Sequence, residues 1–284
     1  MRILITGSNG MLGRDLSAHL EPRHQVVPAD LPEVDITDLG LLQRTFAGAQ
    51  LDAVIHTAAF TAVDECEHRP HLAFQVNAEG TRNVALACRQ ASLPLLYIST
   101  DYVFDGRKPT PYLEDDPPNP LSVYGRSKLQ GERHVTELLA TAWIARTSWL
   151  FGPLGKNFVR TILQCAQRGE PLRVVDDQFG APTYTMDLAE KLEQMVMKGK
   201  PGIYHVTNRG YCSWFEFTQE ILRQAGLSHV PLSAIPTSAL DCPAPRPQNS
   251  RLAPARLESE GLGLLPSWQD ALSRYLLREG QAQC

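Results

Sequence analysis

Short apolar runs alternate with segments of helical period along the first half of the chain. Arg2–Thr6 (RILIT), Gln25–Ala29 (QVVPA), Ala53–His56 (AVIH), Leu95–Ser99 (LLYIS) and Ala142–Arg146 (AWIAR) read as strands. They are nearly all apolar, as strands covered on both faces should be. Between them the pattern predicts helices: one from the turn after Thr6 to about Leu20, then Leu39–Ala47, Leu72–Gln90 and Leu121–Leu139, with Pro109–Pro120 as a loop. Leu72, Val76, Val84, Leu86 and Ala87 carry the helical spacing in the third of these. Alternation of strand and helix predicts an α/β fold with a doubly wound parallel sheet. Beyond Trp149 the pattern loosens. Asn157–Arg168, Met186–Met197 and Phe215–Gln224 read as helices, Leu172–Val175 and Ile203–Val206 as strands, and Pro236–Pro254 as irregular. The expected organisation is a large domain over 1–149, rejoined by about 172–197, and a smaller C-terminal lobe of 150–171 and 198–284.

A glycine-rich turn gives the sheet a chemistry. Gly7, Gly10 and Gly13 form GxxGxxG in TGSNGMLG, after a strand and at the opening of a helix. In that context the first glycine permits the tight turn, the second lets backbone approach a pyrophosphate at the helix N-terminus, and the third lets helix and sheet pack closely. The expectation is a Rossmann-type dinucleotide site built from Gly7, Asn9, Gly10, Met11, Leu12 and Gly13. Asp30, at the end of the second strand, suits ribose hydroxyls and would repel a 2′-phosphate, which leans toward NADH, although Arg14 or Arg23 could accommodate NADPH. Asp35 and Ile36 stand where an adenine could reach, and DIT equally reads as a helix start. Ala58 and Ala59 leave room beside the third strand, and Asn77 reads equally as a buried tie or a site residue.

Bulk properties narrow the partners. The chain has 284 residues, 43% hydrophobic and 20% charged, as an ordinary globular protein does. A net charge of −4, from 27 basic and 31 acidic residues, gives no support to nucleic acid as a partner. No apolar run approaches the ~18 residues of a membrane span, and MRILITGSNG enters a strand with no leader-like apolar region, so the expected location is cytoplasmic. Cys66, Cys88, Cys165, Cys212, Cys242 and Cys284 form no CxxC and no zinc spacing, so they read as reduced thiols and no metal ligand is assigned.

Tyr124 and Lys128 form YxxxK, which puts a cation on the helical face of a phenol and favours its ionisation. Ser99 and Thr100 place hydroxyls, with the Asp101 carboxylate next to them, at the carboxyl end of the fourth strand, where ligands of such sheets bind. With these residues the chain resembles the extended short-chain dehydrogenase/reductases, and more narrowly the dTDP-4-dehydrorhamnose reductase family. The matching stretches are TGSNGMLG, HTAAFTAVDECE, NAEGTRNVA, YISTDYVFDG, PNPLSVYGRSKLQGE, ARTSWLFGPLGKNFV, VVDDQFGAPTYTMDLA and PRPQNSRL, in order over nearly the whole chain. The resemblance implies a catalytic trio of Thr100, Tyr124 and Lys128. Thr100 would bind the substrate carbonyl. Tyr124 would donate the proton, and Lys128 would hold the nicotinamide ribose and lower the tyrosine pKa. It further implies NADPH or NADH as cofactor and a dTDP-linked ketosugar as substrate, with Asp101, Tyr102 and Trp149 lining the sugar pocket. Asn157 and Arg246 are expected to bind the substrate's diphosphate, by a helix N-terminus and a guanidinium. Some relatives form magnesium-linked homodimers. A homodimer is thus an expectation of the resemblance, and magnesium is assigned to no residue here.

Three rival readings remain open on sequence. A dehydratase is not among them, because on this scaffold it needs a second carboxylate after the threonine, and Thr100-Asp101 is followed by Tyr102. An epimerase, or a reductase of another nucleotide-linked deoxysugar, fits the same residues. A non-catalytic nucleotide-binding subunit like that of methionine adenosyltransferase shares the STDYVFDG-like and YGxxK-like motifs.

Overall fold

The structure is a computed structural model, and residues 1–282 are described. The chain begins with β1 (Arg2–Thr6), α1 (Met11–Leu20), β2 (Gln25–Ala29), α2 (Leu39–Gly48) and β3 (Ala53–His56). Two short helices follow, α3 (Val63–His68) and α4 (Pro70–Phe74), then a π-helical turn over Gln75–Gly80 that runs into α5 (Thr81–Ala91). Next come β4 (Leu95–Thr100), a 3-10 turn over Asp101–Val103, α6 (Val123–Leu138) and β5 (Ala142–Thr147). The second half adds β6 (Leu150–Phe151), α7 (Phe158–Gln167), β7 (Leu172–Val175), β8 (Phe179–Gly180), β9 (Thr183–Tyr184), α8 (Thr185–Lys198) and β10 (Gly202–His205). It ends with β11 (Cys212–Ser213), α9 (Trp214–Gln224), β12 (Leu232–Ile235), α10 (Ala255–Ser259) and α11 (Trp268–Ala282).

Six parallel strands form one sheet in the order β10-β5-β4-β3-β1-β2. The chain leaves β1 toward β2 on one side and returns to β3 on the other, so the carboxyl ends of β1 and β3 border a switch point, where sheets of this kind open a crevice. One face of the sheet packs on α1 and α8 through Ile5, Leu16, Leu96, Ala145, Leu188 and Leu192. The other packs on α2, α5 and α6 through Leu4, Phe46, Val84, Tyr97 and Val135. Alternate residues of each strand serve the two faces, which is why the strands are mostly apolar, with polar residues concentrated at their carboxyl ends. A separate apolar core of Phe151, Val159, Ile162, Phe217, Ile221 and Tyr275 joins α7, α9 and α11. The parallel pair β7 and β12 belongs to this second core, whereas α8 and β10 return to the large sheet.

The helix expected over Leu72–Gln90 is interrupted by the π-helical turn. Its buried Asn77 takes the N–H of Phe60 at 2.7 Å, donates to the Phe60 carbonyl at 3.0 Å, and donates to Ser127 Oγ at 3.0 Å. Such widened turns often mark functional regions. Helices α3, α10 and α11 were not legible in the periodicity. Five cysteines, Cys66, Cys88, Cys165, Cys212 and Cys242, are free thiols, and Cys284 lies outside the described residues. No helix among the described residues is long and apolar enough to cross a membrane.

Helix α6 lies close on β4 because Gly131 has no side chain: a Cβ there would stand 2.5 Å from the Tyr97 hydroxyl and 2.6 Å from the Asn77 carbonyl. Gly131→Ala is therefore expected to destabilise the fold by about 1–3 kcal/mol, the usual cost of overpacking. Urea denaturation measures it, and an unchanged midpoint would contradict the close seating.

Candidate active site

At the switch point a cleft of about 660 Å³ runs from the glycine-rich turn across the carboxyl ends of β1, β3, β4 and β5. Gly7 stands at φ +70°, and a Cβ on it would meet the Ala58 nitrogen at 2.5 Å, so the turn admits only glycine. Gly10 differs. A Cβ there would meet nothing nearer than the Gly7 carbonyl at 3.2 Å, so its missing side chain leaves open space in the cleft wall. Helix α1 starts at that glycine with no side-chain cap and no acidic residue in its first turn. Its leading amides and the helix dipole then face the cleft unneutralised, a surface that fits the pyrophosphate of a dinucleotide.

Gly7, Gly10, Met11, Leu12, Gly13, Asp30, Asp35, Ile36, Ala58 and Ala59 all line this cleft. The Asp30 carboxylate accepts the backbone N–H of Asn9 and that of Leu31, both at 2.8 Å. Asp35 accepts the N–H and hydroxyl of Thr37, both at 2.8 Å, and so caps its own turn. Asn9 does not line the cleft and reaches it only by its backbone N–H on Asp30, and Asn77 is fully buried and bonded as described. His56 ties the strands beneath: Thr81 Oγ1 donates to the Asn77 carbonyl, so it accepts His56 Nε2–H at 3.0 Å. Nδ1 then accepts the Thr6 hydroxyl at 2.6 Å. Burial, with Lys128 nearby, holds the imidazole neutral, its pKa down to about 3.

Thr100, Asp101, Tyr124 and Lys128 meet in the same cleft. Thr100 ends β4, and its hydroxyl donates to Asp101 Oδ1 at 3.0 Å while accepting the Tyr102 N–H at 3.2 Å. Tyr124 opens α6, whose N-terminus Ser122 caps by accepting the Gly125 N–H. Burial pushes the Tyr124 phenol above its ordinary value, partly offset by a hydrogen bond to Thr100, so the ring keeps its proton at neutral pH. The Lys128 ammonium does not lie against the phenol. It donates to the Ile98 carbonyl at 2.7 Å and sits 4.2 Å over the Tyr97 ring. Burial pulls its pKa to about 7, and Glu132 one turn away pushes it up. The arrangement is a protonated acid beside a hydroxyl, with a desolvated amine below, suited to proton donation onto a carbonyl oxygen.

At the other end of the cleft Trp149 takes a positive φ of 48°, rare for a bulky residue. Its indole stacks on Trp214 at 3.5 Å and 8° and lies over Gly180, where a Cβ would be 2.4 Å from the ring. Tyr102 lies edge-on to Tyr124, centroids 5.9 Å apart. Trp214, Thr147, Thr61 and Val63 line the cleft and were not foreseen. The only sequence sign for Trp214 is its place at a helix start, where Ser213 and Glu216 form a capping box. Asn157 and Arg246 do not line the cleft. Asn157 caps α7 by accepting the Arg160 N–H at 3.0 Å and donates to the Gly152 carbonyl. Arg246 donates to Asp64 Oδ2 at 2.8 Å and to the Ala244 carbonyl at 3.1 Å. No group of three His, Cys, Asp or Glu among the described residues could hold a metal ion.

Residues 1–280 match the family model described as RmlD substrate binding domain. A dTDP-4-dehydrorhamnose reductase of Streptomyces griseus is 42% identical over 279 residues, 96% of this chain and 92% of that one. A probable dTDP-4,6-dihydroxy-2-methyloxan-3-one 4-ketoreductase of Streptomyces antibioticus is 39% identical, covering 96% and 93%. The crystal structure of a Bacillus anthracis dTDP-4-dehydrorhamnose reductase in complex with NADP superposes with a TM-score of 0.95 at 39% identity, over 98% of this chain and 99% of that one.

Asp101 offers a test of the site's electrostatics. Burial pushes its carboxyl up to about 7, with the Ser250 and Thr100 hydroxyls pulling the other way. An unfolded aspartate titrates near ~3.9. Between those values the native state holds a proton that the unfolded state has lost, so stability falls as pH rises through that window. Asp101→Asn abolishes this contribution. Urea midpoints at pH 4.5 and 7.5 should show the wild type losing ground to Asp101→Asn as pH rises, and parallel curves would refute the raised carboxyl.

Proposed function

The chain belongs to the RmlD substrate binding domain family, beside the dTDP-4-dehydrorhamnose reductases, and we propose that it reduces the 4-keto group of dTDP-4-dehydro-L-rhamnose to give dTDP-L-rhamnose. The observation that carries this is one cleft holding both the open glycine-rich turn and Thr100, Tyr124 and Lys128. When bound, NADPH or NADH supplies the hydride that the carbonyl carbon accepts. The Gly7–Gly13 turn and the start of α1 would hold its pyrophosphate, Asp30 its adenosine ribose, and Asp35, Ile36, Ala58 and Ala59 its adenine side and flank. Thr100 would donate to the carbonyl oxygen by turning its hydroxyl away from Asp101 Oδ1. Tyr124 passes its phenolic proton to that oxygen as negative charge gathers there, completing the hydroxyl. Lys128 would hold the nicotinamide ribose from below the trio. Trp149, Tyr102 and Asp101 would frame the sugar, with Trp214 as an added wall. Arg246 would reach a diphosphate by exchanging its partner Asp64. Work in the cytoplasm is part of the proposal, and five free thiols fit it.

A second reading is reduction of a different dTDP-linked 4-ketosugar, favoured by the 39% identity to the Streptomyces antibioticus 4-ketoreductase. Oxidation of NADPH and NADH, followed optically against a panel of dTDP-4-ketosugars, separates the two. Turnover without net oxidation of cofactor would instead mean epimerisation, and no turnover with tight nucleotide binding would mean a binding subunit.

Tyr124→Phe keeps the ring and removes the proton. Turnover should fall by about 10²–10⁴-fold, the typical worth of a positioned acid, with cofactor binding nearly intact. Full activity in that variant would discard Tyr124 as donor. Asp30→Ala should raise the use of NADPH relative to NADH, and an unchanged ratio of kcat/KM values would take Asp30 away from the ribose.

A further inference from the structure

Beneath the reacting groups lies a charged network wholly inside the protein. Glu132 of α6 accepts a fork from Arg146 of β5, Nε to Oε1 at 2.9 Å and Nη2 to Oε2 at 2.7 Å. Ser99 of β4 donates its hydroxyl to the same Oε1 at 2.6 Å. The exposures of Glu132, Arg146 and Ser99 are 3%, 2% and 3%. The third arm of Arg146 donates to the Glu114 carbonyl at 3.3 Å.

Burying an ion pair is a poor route to stability, because desolvation offsets most of the attraction and apolar residues of equal volume often do as well. What this pair supplies is register. Tyr124, Lys128 and Glu132 stand at steps of four on one face of α6, so whatever fixes Glu132 fixes the height of the other two over the sheet. Ser99 directly precedes Thr100. Arg146 directly precedes Thr147, the Cα partner of Thr100 across β4 and β5. One carboxylate thus ties the strand bearing the carbonyl-binding hydroxyl to the helix bearing the acid.

We propose that Glu132, clasped by Arg146 and Ser99, is a positioning residue for the reduction: it sets α6 against β4 and places a fixed negative charge one turn from Lys128. The proposal rests on the reductase reading. The groups facing the Lys128 ammonium are Glu132 from its own helix, Tyr97 from β4 and neutral His56 from β3. Of these only Glu132 is an anion, so it is the group that opposes burial and raises the affinity of the amine for its proton.

The test replaces the pair by apolar residues of similar volume, Glu132→Leu with Arg146→Met, and separately makes Ser99→Ala. The double variant should stay folded and bind NADPH within about threefold of wild type by calorimetry, with the sugar KM similarly unmoved. Its kcat should fall by about 10²-fold, the scale of a misplaced reacting group, and the alkaline limb of its pH profile should move to lower pH as Lys128 loses its anion. Ser99→Ala keeps the ion pair and should lose about tenfold in kcat alone. A folded double variant with wild-type kcat and pH profile overturns the proposal, as does a loss of kcat that merely tracks lost stability or lost NADPH binding. Should the double variant not fold, Ser99→Ala decides, and unchanged kcat there overturns it. A wild-type protein that reduces no ketosugar defeats the reductase reading itself, and that result is visible before any variant is made.

Discussion

The close seating of α6 on β4 is the constraint on which the rest of the site depends. Gly131 permits the approach to Tyr97, and Gly125 permits another, since a Cβ there would stand 2.2 Å from the Tyr102 carbonyl. With the helix that close, Lys128 reaches the Ile98 carbonyl and Glu132 reaches Ser99 and Arg146. Cores are dense enough that a shift of one side chain's width is felt by every neighbour. A helix held a little higher would separate Tyr124 from Thr100 and leave a buried carboxylate and guanidinium unpaired.

The same packing sets the electrostatics. Tyr124, Lys128 and Asp101 are each driven toward the neutral form, and burial is the first cause in all three. In a low-dielectric cleft a neutral phenol is an acid with its proton in place. Underneath, the Glu132–Arg146 pair is buried with its partners built in, and at the glycine-rich end the uncapped amides of α1 suit an anion. Opposite ends of one cleft thus accept an anion and deliver a proton, which is the division of labour that reduction of a carbonyl by a dinucleotide requires.

Several features were open to inspection of the chain. The first five strands of the large sheet fall where apolar runs predicted them, within one residue, because strands covered on both faces leave a continuous apolar signature. The glycine spacing after β1 and the four-residue step from Tyr124 to Lys128 are local patterns, and local backbone geometry honours them. The π-helical turn at Gln75–Gly80 was hidden inside an ordinary helical period, since one extra residue per turn shifts the apolar stripe too little to notice. Helix α11 was also unread, although its face of Trp268, Leu272 and Tyr275 fills the second core.

The sequence by itself determined where the first five strands fall, the glycine-rich turn after β1 and the helical step that puts Tyr124 and Lys128 on one face. These follow from composition at short range, where backbone sterics and helical or strand periodicity leave little choice. Tertiary structure alone decided how those groups are charged and what they touch. It turned Lys128 onto a strand carbonyl, brought Trp214 from the second core against Trp149, clasped Arg246 with Asp64, and buried Glu132 against Arg146. Each of these joins residues far apart along the chain, and burial, which sets their protonation, is a property of the packed whole that no local pattern encodes.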